Sequence, residues 1–130
     1  MIKLNGQIYL DKPQVFCIID ECIDSIKKAR YYKISPAIGD ITSDIKNQVF
    51  SELNKFRAGL EYKCSAEKYI RFSFIHEYIT QQTHDPRKVK VGKYQQGAFG
   101  IRLNADPDAV VRYVFNVCMK VIATSFSGSI

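Results

Sequence analysis

The sequence predicts an α+β domain in which two N-terminal helices pack on an antiparallel sheet of about four strands. Two segments, 15–26 and 45–60, repeat apolar residues at helical spacing, while the segments 68–80, 98–103 and 109–125 are rich in aromatic and β-branched residues. Turn chemistry separates the later segments, with Asp85-Pro86 in one connection and Asn104 to Asp108 in another.

Residues 1–13 read as an N-terminal hairpin or arm, and 14–130 as the domain proper. Ile2-Lys3-Leu4 and Gln7-Ile8-Tyr9-Leu10 flank Asn5-Gly6, the signal for a two-residue type I′ turn. An isolated hairpin is marginal, so an extended arm lying on the domain is the alternative. Pro13 suits a first helical turn, and Val15, Ile18, Ile19, Cys22, Ile23 and Ile26 then form one stripe. Lys27, Lys28, Arg30 and Lys33 follow at the end that favours cations. Asp40 or Thr42 can cap the second helix, whose stripe is Ile45, Val49, Leu53, Phe56 and Leu60. Gly59 weakens its last turn.

Residues 68–80 fit two templates. A helix would spread their apolar side chains round the cylinder; a strand sets Ile70, Phe72 and Phe74 opposite Tyr69, Arg71 and Ser73. The strand is the expectation. Residues 81–94 read as a long polar, basic loop, and 98–103 as a short strand. Residues 109–125 are too apolar and β-branched for a surface helix, and Asn116 can break them into a hairpin. A helix begun at Asp106-Pro107 is the competing reading.

Composition narrows the function. The chain is 46% hydrophobic and 25% charged, which places it with globular rather than disordered proteins. No apolar run approaches the ~18 residues of a membrane helix, and the N-terminus lacks a signal-peptide pattern. Cys17, Cys22, Cys64 and Cys118 show no C-x-x-C spacing and read as reduced thiols of a cytosolic protein. The net charge of +6 suits nucleic acid, an acidic peptide or an anionic surface, although its clusters match no nucleic-acid motif. His76 and His84 have no partners arranged for a nucleophile–base pair, and His84 with Asp85 falls short of a metal ligand set. Asp20, Glu21 and Asp24 read as a solvated stripe. No phosphate-binding glycine loop is present: Gly92, Gly97 and Gly100 have the wrong spacing. No enzyme, metal or cofactor is expected.

Three stretches resemble the Tctex-type dynein light chains: Ile41 to Leu53, the Lys68-Tyr69-Ile70 strand start, and the close from Val111-Arg112-Tyr113 through Asn116 to Ile130. The resemblance covers roughly residues 14–130. It departs at Gly97 to Arg102, where the family usually carries a Trp-containing strand and this chain has no Trp. What it implies is a non-catalytic adaptor, dimeric through the sheet with itself or a second Tctex-type light chain. Such an adaptor holds an extended dynein intermediate-chain segment at the sheet edge, in the cytoplasm, cytoskeleton or ciliary axoneme, with no membrane partner. Phe99, Ile101 and Leu103 would form the partner or dimer strand, and Gly97 and Gly100 would let another backbone approach. The less favoured reading is a small basic nucleic-acid-binding α+β protein. It would use the loop of Arg87, Lys88, Lys90 and Lys93, with Tyr94 and Phe99 for stacking.

Overall fold

The computed structural model describes residues 1–28, 43–89, 94–97, 100–103 and 107–129. Strands come first. Ile2–Leu4 (β1) and Gln7–Asp11 (β2) form a hairpin, Lys12–Lys28 (α1) and Ser43–Lys63 (α2) follow, and Tyr69–Arg71 (β3) runs directly into Phe72–Gln82 (α3). A 3₁₀ turn at Pro86–Lys88 leads to a second hairpin, Tyr94–Gly97 (β4) and Gly100–Leu103 (β5), and the chain closes with Pro107–Gly128 (α4).

The N-terminal piece is the hairpin of the two alternatives. Asn5 and Gly6 have φ of 51° and 76°, the positive pair that a type I′ turn requires. It gains stability by pairing onward: β2 aligns antiparallel with β3, completing a three-stranded sheet in the order β1-β2-β3. Alternation then divides the sheet. Leu10 and Ile70 are register partners and both are buried against the helices.

Helices α1 and α2 bury the stripes their spacing marks, with Ile18 and Ile45 half-buried at the margins and Phe16 added to the core. The Arg57 guanidinium on α2 clasps Asp20 on α1 through Nε–Oδ1 (2.6 Å) and Nη2–Oδ2 (3.2 Å) while donating to Glu61 (2.7 Å). The same guanidinium lies 5.2 Å from the centre of the Phe16 ring. Asp20 is thus an inter-helix partner rather than only part of a solvated stripe. The pair is half in solvent and contributes about 0.2–1 kcal/mol.

The four-strand sheet with helices in front of it is not the architecture found. Residues 72–82 are helical because Ile75, Tyr78 and Ile79 fall at i, i+3 and i+4 and turn into the core; only 69–71 keep the strand alternation. Residues 107–128 are one unbroken helix rather than a hairpin. Val111, Val114, Phe115, Cys118, Met119, Ile122 and Phe126 form its buried stripe. Helix propensity penalises β-branched residues by only tenths of a kcal/mol each, whereas burying a Val or Ile contributes about 1.5–3 kcal/mol. By length and composition α4 could also cross a membrane, since its most apolar window tolerates Arg112 and Lys120; half of that window is buried inside the protein. Among the described residues β4 and β5 pair only with each other, so the expected partner strand belongs to a two-stranded hairpin outside the main sheet. Arg30, Lys33, Asp40, Thr42, Lys90, Lys93, Phe99 and the turn at 104–106 lie outside the described residues.

Helix α2 continues past Gly59 for a packing reason. A Cβ there would collide with the hydroxyl of Tyr78, a buried ring stacked 5.5 Å from Phe56. Gly59→Ala is therefore expected to lose about 1–3 kcal/mol by urea denaturation, against the ~1 kcal/mol gain of Ala in an open helix. Tyr78→Phe in the same chain should recover part of that loss. A Gly59→Ala chain as stable as the parent would exclude the close approach.

Candidate functional site

The face of the three-stranded sheet opposite Leu10 and Ile70 is the candidate site. The register places Ile2, Tyr9 and Arg71 in one row, Asp11 and Tyr69 in the next, and Leu4 with Gln7 towards the turn. Tyr69 is exposed, Tyr9 half-buried, and Ile2 and Leu4 are 41% and 57% exposed. Four of the seven side chains on this face, Ile2, Leu4, Tyr9 and Tyr69, are apolar or aromatic, in contrast to the polar outer face usual in antiparallel sheets.

Where α2 ends, its last residues and the link to β3 build a wall beside this face. The result is a cleft of about 260 Å³, with Tyr9, Tyr69 and Phe74 as aromatic sides and Lys63, Glu67 and Arg71 as charged ones. The wall is fixed by backbone bonds: Lys12 N–H donates to the Lys68 carbonyl (3.1 Å) and Glu67 N–H to the Cys64 carbonyl (3.0 Å). Lys12 Nζ donates to the Ser65 carbonyl (3.2 Å). Cys64 is buried beside the cleft, and burial raises its thiol pKa. Lys68 lies 5.8 Å from the Tyr69 ring centre and Lys63 5.4 Å from that of Tyr78. Arg71 and Glu67 form no ion pair with a described residue. The immediate charge is basic, with Lys12, Lys63, Lys68 and Arg71 against Asp11 and Glu67.

The residues singled out by sequence are mostly elsewhere. Ile101 and Leu103 lie on β5, whose only described partner strand is β4, with Gly97 paired to Gly100. Arg87 and Lys88 lie in the exposed 3₁₀ turn, where Asp85 accepts from the Arg87 backbone N–H (2.9 Å) and from its Nη2 (3.0 Å). That guanidinium holds the Asp85 carboxyl below its usual range. His76 is exposed on α3 beside Phe72, and among the described residues no group of three His, Cys, Asp or Glu side chains could hold a metal. Cys17 is exposed and its thiol is raised by its bond to Glu21; Cys118 is pushed up to about 11 by burial. The signal for the actual face was the Tyr69/Arg71 alternation, which needed Tyr9 on a distant strand to become a surface.

Asn116, expected to break a hairpin, instead holds the chain after α3. Its Oδ1 accepts from the His84 N–H (2.9 Å) and its Nδ2 donates to the His84 carbonyl (3.1 Å), as a neighbouring strand would. Arg112, one turn earlier, donates to the Lys88 carbonyl (2.9 Å), and the His84 ring packs edge-on against Phe115. Burial, then the Arg112 and Lys88 charges, lower the His84 pKa against an opposing pull from Glu52.

No protein family, no curated protein and no solved structure matches this chain. The element order and closing hairpin that carried the likeness to dynein light chains are replaced by the helices α3 and α4.

Two outcomes follow from the Asn116 clamp. Asn116→Ala should cost about 1–3 kcal/mol in chemical denaturation, because two part-buried backbone groups lose their partner. Asn116→Asp should also destabilise, since it can still accept from His84 N–H but sets a second acceptor oxygen against the His84 carbonyl; an Asp variant as stable as the parent would contradict the two-way bond. With the folded His84 pKa below its ordinary 6.5, the unfolded chain binds more protons in the window between them. Stability should thus fall as pH drops from 7 to 5, and His84→Gln should flatten that part of the profile. Asp85 titrates below this window, so the two are separable. An unchanged slope in the variant would sink the assignment.

Proposed function

We propose that the chain is a non-catalytic module that binds single-stranded nucleic acid on the outer face of its three-stranded sheet. The observation that carries this reading is the placement of Tyr9, Tyr69 and Arg71 on one open face, ringed by Lys12, Lys63 and Lys68. Every base has an apolar ring face to stack on Tyr, and the phosphates between bases need cations at the rim. The chain's net charge of +6 acts in the same direction at longer range.

An adaptor that pairs an extended peptide with a sheet edge is less well supported. In a two-residue hairpin the Leu4–Gln7 pair is hydrogen-bonded, so within β1 only Lys3 turns its N–H and C=O to the free edge. Two ladder bonds beside a Lys side chain make a blunted edge rather than a docking strand. The 87–88 turn is also a weaker anion site than its composition suggests, because Asp85 occupies Arg87.

The test is fluorescence anisotropy with a labelled 20-nucleotide oligothymidylate at 50 and 200 mM salt. Binding should weaken steeply with salt. Tyr69→Ala should reduce affinity by about 10- to 100-fold, corresponding to the ~1–3 kcal/mol of one stacked base. Lys63→Ala should lower the salt slope by about 0.7, the value for one phosphate contact to a single strand. Absence of binding, or capture by phosphatidylserine vesicles with no oligonucleotide bound, would overturn the reading in favour of a lipid surface meeting Ile2 and Leu4.

A further inference from the structure

We propose that the cleft beside Tyr69 is a pocket for one unpaired guanine base, read by the carboxylate of Glu67; this rests on the nucleic-acid reading above. Size comes first. At about 260 Å³ the cleft is below the roughly 300–1,000 Å³ of pockets that enclose whole ligands, so it admits a single ring system and not a length of chain. Tyr9, Tyr69 and Phe74 line it, and aromatic side chains are what unpaired bases stack on.

Within the cleft lining Glu67 is the residue that a purely phosphate-binding site would not carry. A carboxylate repels phosphate, yet it accepts hydrogen bonds from N–H groups on a base edge. Its two basic neighbours do not neutralise it: Lys63 and Lys68 are drawn over the rings of Tyr78 and Tyr69. Among the described residues no side chain hydrogen-bonds or ion-pairs with the Glu67 carboxylate, and Arg71 brings donors to the same cleft.

Guanine alone among the bases presents two adjacent N–H donors, N1–H and N2–H, to match the two oxygens of a carboxylate. Beyond them it carries the O6 and N7 acceptors, which suit an arginine. Adenine is mismatched twice. It has no N1–H for Glu67, and its N6 amino group would meet the Arg71 donors.

The experiment uses labelled 11-mers, five thymidines on each side of one variable nucleotide, titrated with the full chain at fixed salt. The G oligomer should bind about 10-fold tighter than the A, C and T oligomers. Glu67→Gln, an exposed substitution, should abolish that preference, bringing the G oligomer down to the affinity of the other three. Equal binding of all four oligomers by the parent chain overturns the pocket and leaves the nucleic-acid reading standing, as does a G preference that survives in the Gln variant. No binding of any oligomer overturns both.

Discussion

Helix α4 cannot be left in water. Nine of its residues between Ala109 and Phe126 are buried, and they face α1, α2 and α3 in turn. Shielding that much aliphatic and aromatic surface is the main apolar gain of the fold, and it dictates where the other helices lie. Helices α1 and α2 each contribute one stripe and meet α4 and each other, so three helices close one core. The sheet then plugs one side of it, with Leu10 and Ile70 inserted between α1 and α3.

Polar contacts refine this packing rather than create it. The Arg57 clasp sets the rotation of α2 against α1, because its planar fork satisfies Asp20 at two points and Glu61 at a third. Asn116 and Arg112 hold the segment after α3 to α4 by its backbone, which fixes residues 84–88 without a sheet. Along the last turns of α4, Thr124, Ser125, Ser127 and Ser129 return their hydroxyls to carbonyls four residues earlier. Most of these hydroxyls are thereby satisfied locally, and Ser125 also accepts from the Cys22 thiol of α1 (3.2 Å).

The candidate site is a consequence of the same arrangement. With one sheet face committed to the core, alternation forces Tyr9, Tyr69 and Arg71 onto the other. The end of α2 supplies Lys63 and the link after it Glu67, because β3 begins only a few residues after the helix stops. The aromatic platform, its basic rim and the Glu67 carboxylate are therefore neighbours through topology, although they come from two distant stretches of chain.

Several features were determined by local chemistry and were legible without a structure. Asn5-Gly6 sets the first hairpin, and the stripes of α1 and α2 mark the buried faces, since a two-residue turn and a 3.6-residue period each leave a direct imprint on sequence. Residues 72–82 and 107–128 were not legible in the same way. Their β-branched and aromatic content fits a strand, while Val114, Cys118, Ile122 and Phe126 equally fit a helical stripe. Burial in the shared core, for α4 against α1 and α2 and for α3 against β2, β3 and α4, resolves that conflict, because it outweighs a weak intrinsic preference. The site shows the same division. The Tyr69/Arg71 alternation is written in the chain, but its meeting with the far-off Tyr9, and with Glu67 at the cleft, depends on strand pairing between distant segments. Tertiary packing decided those contacts, because no local rule specifies which strand will pair with which.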